Sequence, residues 1–135
     1  MAILADTGVL FALLDRDDSH HGAAKELLSG SREPWLVPLV VLPEVCYLAQ
    51  KYLGADVERK FLEGIAAGEL TLEWGEPSDL ARAIEILRRR PEFGMVDAMV
   101  MAVAERLRIR KIATFDRRHF GSFKTGRGED FELLP

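Results

Sequence analysis

Four acidic residues stand where an acid is costly: Asp6, Glu44, Asp97 and Asp116. Asp6 ends the apolar run Ala2-Ile3-Leu4-Ala5, and Asp116 follows Lys111-Ile112-Ala113-Thr114-Phe115. Glu44 sits among Val40, Val41, Leu42 and Val45, and Asp97 interrupts the apolar start of Met95 to Leu107. An unpaired charge in such company costs several kcal/mol. Singly, each has an ordinary structural use. Asp6 would cap the helix after it, and Glu44 and Asp97 would complement a helix dipole by about 0.3–1 kcal/mol. Gathered together they are a different matter, because two carboxylates about 4 Å apart repel by roughly 4 kcal/mol at an effective dielectric near 20. A divalent cation offsets that repulsion. Oxygen-only ligands suit a hard ion, Mg²⁺ or Mn²⁺, which keeps several waters and takes further ligands from a phosphate. Zinc is a poor match: His20 and His21 are adjacent, hence on different helix faces, and Cys46 stands alone among apolar neighbours. His119 follows Asp116 closely and is the histidine expected nearest the acids.

What could gather the acids is visible in the order of elements. Ala2 to Asp6 reads as a short buried strand, Thr7-Gly8 as a tight turn, and Val9 to Leu14 as the start of a helix. Ser19 can cap a helix from His20 to about Leu28, ended by Gly30; Trp35-Leu36-Val37 reads as a second strand, closed by Pro38. Helical spacing predicts helices over Val40 to Leu53, stopped by Gly54, and over Asp56 to Ala67. Leu70 to Trp74 alternates like a half-buried strand, Pro77-Ser78-Asp79 opens a helix that ends at Arg90-Pro91, and Met95 to Leu107 reads as a helix buried on most sides. Ile109 to Thr114 and Phe131 to Leu134 supply the last strands, with a loop from Gly121 to Asp130. Short strands alternating with longer helices predict an α/β fold: a mostly parallel sheet of 4–5 strands with helices on both faces. In such sheets ligands bind outside the carboxyl ends of the strands, where Asp6 and Asp116 fall.

The 135 residues fit a single domain, residues 1–135, with 48% hydrophobic and 30% charged side chains. Those proportions fit neither a disordered nor a membrane protein. No basic segment precedes the first apolar run, and one cysteine cannot form an internal disulfide, so a cytoplasmic protein is expected. The net charge of −4 is unevenly spread: Arg82 to Arg127 holds 12 Lys or Arg against five acids. A basic segment within an acidic chain is either a phosphate footprint or a set of solvated helix faces.

The four acid-bearing segments resemble those of the PIN domain, and within it the VapC-type toxin ribonucleases of toxin–antitoxin systems. Ala5-Asp6-Thr7-Gly8-Val9-Leu10 is similar to the opening strand and turn of that family, and Leu42-Pro43-Glu44-Val45 to its second motif. Asp97-Ala98 resembles the third, and Ala113-Thr114-Phe115-Asp116-Arg117-Arg118-His119-Phe120 the fourth. Gly8 stands where the family often has Ser. The resemblance implies a three-layer PIN-like fold and an Mg²⁺- or Mn²⁺-dependent endoribonuclease that hydrolyses RNA phosphodiester bonds with a metal-activated water. It implies that Asp6, Glu44, Asp97 and Asp116 form the pocket, with Asp6 and Asp97 in direct metal contact. Thr7 and Thr114 would orient a carboxylate or a bound water, and Arg117 and Arg118 would hold flanking phosphates of the RNA substrate. A cognate antitoxin that covers the pocket and a homodimer are implied as well, for which Trp35 or Trp74 offers apolar surface.

Asp6-Thr7-Gly8 is also the aspartic-protease tripeptide, but those enzymes are all-β and this chain reads as mostly helical. An aspartyl phosphatase of the Asp-x-Asp kind fails because Gly8 occupies the second acid's place. The remaining alternative is a PIN-like module that binds RNA or a partner without cleaving.

Overall fold

A computed structural model describes residues 1–135. The chain runs β1 (Ile3–Ala5), α1 (Thr7–Leu14), α2 (His21–Gly30), β2 (Trp35–Pro38), a 3-10 turn (Leu39–Val41), α3 (Leu42–Leu53), α4 (Ala55–Ala66) and β3 (Thr71–Glu73). It continues through α5 (Pro77–Arg89), a second 3-10 turn (Pro91–Phe93), α6 (Gly94–Leu107), β4 (Lys111–Ala113), α7 (Arg117–Ser122) and β5 (Glu132–Leu134). The five strands form one sheet in the order β3-β2-β1-β4-β5, every pair parallel. Leu4, Val37 and Ile112 in its middle are fully buried, as in a sheet covered on both faces. Right-handed crossovers then put α1 to α4 on one face and α5 to α7 on the other. The helix contacts divide in the same way, α1 with α2 and α3, α3 with α4, α5 with α6, and α6 with α7. This is the three-layer α/β arrangement that the resemblance implied.

Two successive strands step outward from β1 in one direction, through β2 to β3, while β4 and β5 lie on its other side. The strand order therefore reverses between β1 and β4. Their register pairs Ile3 with Lys111, Leu4 with Ile112 and Ala5 with Ala113, so both strands end level with each other. The Asp6 N–H still donates to the Ala113 carbonyl at 3.0 Å, which holds the two exits side by side.

Several boundaries differ from those expected, each for a local reason. Helix α1 begins at Thr7, directly after Asp6, so Thr7-Gly8 is the first part of a helix and not a separate turn. Helix α2 begins one residue after His20, and the N-cap position belongs to His20 instead of Ser19; Asp18 accepts from the His20 N–H at 2.8 Å. Ile109 does not start β4. Arg108 adopts a left-handed conformation (φ 56°) past the end of α6, and the Ile109 N–H returns to the Ala104 carbonyl at 2.9 Å, a Schellman closure. The expected loop from Gly121 loses its first two residues to α7, and an isolated antiparallel bridge joins Lys124 to Asp130. Of the two tryptophans, Trp35 is core and Trp74 is 72% exposed. No helix is long and apolar enough to cross a membrane.

Candidate active site

Each acid reaches the carboxyl edge of the sheet by a different device. Asp6 is carried there by β1 and holds the N-cap position of α1. Its side chain makes no capping hydrogen bond, contrary to the simplest reading of an acid before a helix. It accepts instead from the Thr114 hydroxyl at 3.0 Å, across the β1–β4 boundary. Thr114 is itself fully buried, and its Oγ1 also accepts from the Asp116 N–H at 3.0 Å. One hydroxyl thus links the acids that end two neighbouring strands. Asp116 does act as a cap: its carboxylate accepts from the Arg118 N–H at 3.1 Å and starts α7. Asp97 lies in the first turn of α6, whose entry uses a positive φ (77°) at Gly94 that other residues rarely adopt. Glu44 lies in the first turn of α3 and is exposed, although its sequence neighbours Val41 and Val45 are buried; successive helical residues face different ways.

These side chains meet in one cleft of about 300 Å³, lined by Asp6, Thr7, Gly8, Glu44, Leu48, Val96, Asp97 and Asp116. Burial pushes the Asp6 carboxyl up to about 6; the charges of Asp97 and Glu44 add to this, against the Thr7 backbone N–H and the Thr114 hydroxyl. Among Lys and Arg, Arg118 alone pairs with any of the four acids, 3.8 Å from Asp116 with its side chain 86% exposed. Arg117 is exposed and donates to the Pro135 carbonyl.

His119 joins the group. Its Nδ1 lies 2.6 Å from Asp97 Oδ2, and because a carboxylate only accepts, the ring nitrogen donates. Asp97, Asp116 and His119 can each offer one ligand atom within 4.8 Å of the others. The His119 ring packs on Phe93 (centroids 5.1 Å apart), and Phe93 carries the Arg90 guanidinium on its face at 4.4 Å. Arg90 in turn donates to the Ser122 hydroxyl at 3.0 Å and so ties the end of α7 to the end of α5. The spacing of His119 from Asp116 in sequence pointed to this neighbourhood, but its bond to a residue 22 positions earlier left no trace there.

The donor set tests well against a hard cation. Four carboxylates line one cleft, and among Lys and Arg only Arg118 pairs with any of them. The Thr7 Oγ1, buried in the wall of that cleft, has no hydrogen-bond partner within the chain.

The carboxylates are collected where the strand order of a parallel α/β sheet reverses, the place at which such sheets bind ligands. The sequence pattern of the PIN domain matches residues 3–124, and the chain belongs to that family, among its VapC ribonucleases. It is similar to ribonuclease VapC26 of Mycobacterium tuberculosis, with 30% identity over 135 residues that cover 98% of this chain and 100% of the relative. In structure it resembles M. tuberculosis VapC20, a sarcin–ricin loop cleaving toxin, with a TM-score of 0.83, 23% identity and coverage of 99% and 100%. It also resembles a chain of a toxin–antitoxin complex from Klebsiella pneumoniae, with a TM-score of 0.70, 22% identity and coverage of 90% and 92%.

Proposed function

We propose that the protein is a divalent-metal-dependent endoribonuclease that hydrolyses RNA phosphodiester bonds at the cleft between Asp6, Glu44, Asp97 and Asp116. The observation that carries the proposal is Asp6, a carboxylate only 8% exposed, with no cationic partner and two further acids near enough to raise its pKa. Asp6 and Asp97 would hold the ion, Mg²⁺ or Mn²⁺, with Glu44 and Asp116 completing the acidic wall. When bound, such an ion activates water and offsets charge on the phosphate.

The chain's own residues do the positioning. Thr114 fixes the Asp6 carboxylate, and His119 fixes that of Asp97. The Thr7 hydroxyl, buried in the cleft wall without a partner, is a further polar group beside the acids. Arg118, exposed beside Asp116, is suited to a flanking phosphate, and Arg117 adjoins it on α7. A cognate antitoxin and a second copy of the chain are the partners proposed. Tyr47, Tyr52 and Trp74, all more than half exposed, supply apolar surface for such contacts.

The test is incubation of the purified protein with structured RNAs, a sarcin–ricin loop oligonucleotide among them, in Mg²⁺ or Mn²⁺ and in chelator. Discrete, chelator-sensitive cuts are expected. A mobility shift without cuts would favour a binding module and overturn the enzymatic reading.

A further inference from the structure

The loop between α1 and α2 brings His20 flat against Phe115, with ring centroids 4.1 Å apart and planes inclined by 18°. Phe115 stands in the chain between Thr114, which bonds Asp6, and Asp116, which lines the cleft, although neither ring of the stack lines the cleft itself. His20 is exposed and Phe115 only half-buried. Phe115 thus covers one face of an imidazole whose residue stays exposed.

The loop that carries His20 is held at both ends. Asp15 accepts from the Asp17 N–H at 3.0 Å, and Asp18 accepts from the His20 N–H at 2.8 Å. The next residue, His21, turns the opposite way and places its Nδ1 2.7 Å from the Ala12 carbonyl. Two adjacent histidines therefore have separate tasks: His21 ties the loop to α1, and His20 is left to present a ring.

Without its cation the acidic cleft repels an RNA backbone, so contacts that do not depend on phosphate charge complement the one proposed for Arg118. Stacking is such a contact. Unpaired bases in RNA loops are bound by splaying them onto aromatic or histidine rings, each stack being sequence-tolerant and substantial in affinity.

We infer that His20, backed by Phe115, is a stacking platform for an unpaired nucleobase of the bound RNA; this rests on the ribonuclease reading above. Binding of a fluorescently labelled single-stranded RNA in chelator, where nothing is cut, tests it. Replacing His20→Ala is expected to raise Kd about tenfold, a stacking loss of ordinary size. Replacing His20→Phe, which keeps a ring on Phe115, should stay within about twofold of the parent. A strand with one abasic ribose at the stacked position should weaken the parent by the same factor as His20→Ala, and weaken His20→Ala no further. Equal affinity of the parent and His20→Ala, or equal weakening by His20→Ala and His20→Phe, would overturn the platform. If the parent still cuts RNA in Mg²⁺ in either case, only this inference falls. A parent that neither binds nor cuts overturns both readings.

Discussion

Asp6 and Asp79 are both aspartates at the start of a helix and both nearly sealed from water, at 8% and 1% exposure. Around Asp79 both carboxylate oxygens are partnered, by three hydrogen bonds in all. Its Oδ1 accepts from Arg106 Nε at 2.8 Å, and its Oδ2 accepts from Arg106 Nη2 at 3.1 Å and from the Glu76 N–H at 2.8 Å. Arg106 also reaches Glu73 at 2.8 Å, and these carboxylates hold its pKa above the usual arginine range. The pair welds α5 to α6 and to the end of β3. Asp6 has only the Thr114 hydroxyl and the adjacent Thr7 N–H to set against burial and its acidic neighbours, and burial lifts its pKa to about 6. A buried charge that is fully partnered belongs to the architecture; one left short of partners is held ready for something absent from the chain.

That contrast breaks most sharply at catalysis. Replacing Asp6→Asn or Asp97→Asn should remove cleavage by more than the roughly 10–100-fold that loss of an outer hydrogen-bonding partner costs. Initial rates on a labelled RNA in saturating Mg²⁺ measure it. Unchanged rates in both variants would dissolve the distinction between the two aspartates.

The mirror experiment acts on Asp79. Arg106→Met strands a buried carboxylate and should cost about 3–5 kcal/mol of stability, read from urea unfolding followed by circular dichroism. The folded fraction should keep its cleavage rate, because Arg106 touches nothing in the cleft. A loss below about 1 kcal/mol would mean that the Asp79 network behaves like a surface ion pair.

Asp6 should show the opposite sign. Its folded pKa of about 6 lies above the ordinary 3.8, so the folded chain binds the proton more tightly than the unfolded one. This contribution lowers stability progressively as pH rises from about 4 to about 6, and the full cost, at most about 3 kcal/mol, is present above that window. In chelator, Asp6→Asn should therefore be more stable than the parent at pH 7.5 and indistinguishable from it near pH 4. Added Mn²⁺ should close the gap at pH 7.5 by stabilising only the parent. A gap independent of pH would assign the effect to packing and not to charge.

The sequence carried the alternation of strands and helices and the edge at which the acids gather, because short apolar runs ending at Asp6 and Phe115 are local patterns and ligands bind at strand ends as a general rule, whereas the order of the strands came only with the structure. Contacts between residues distant in sequence were not legible. The Thr114–Asp6 bond spans 108 positions and the Arg106–Asp79 bond 27, and neither has a periodic signature. Helix α7 was missed because six residues are too few to show an amphipathic period. Its capping acid, Asp116, had drawn attention for its place at a strand end. Apolar neighbours also misled at Glu44, which is exposed while Val45 beside it is buried. Likeness of sequence surroundings is not likeness of burial on a helix.

His119 gives the smallest effect and the finest probe of the comparison, because it is the one imidazole partner of an acid of the cleft and is itself packed on the rest of the chain. It holds Asp97 through Nδ1 while Phe93 and, behind it, Arg90 hold its ring. If its task is to aim that carboxylate, His119→Ala should weaken Mn²⁺ dependence of cleavage by roughly 10–100-fold in metal concentration, with the rate at saturating metal less affected. His119→Asn, which keeps a donor near the same place, should recover part of the loss. Arg90→Ala removes the clamp on α7 without touching the cleft, and should shift the metal midpoint in the same direction by less. If His119→Ala instead lowered thermal stability and left the metal midpoint unmoved, Asp97 would be partnered for the sake of the fold, as Asp79 is, and Asp6 would stand as the one buried acid of the cleft that the chain leaves without a charged or imidazole partner.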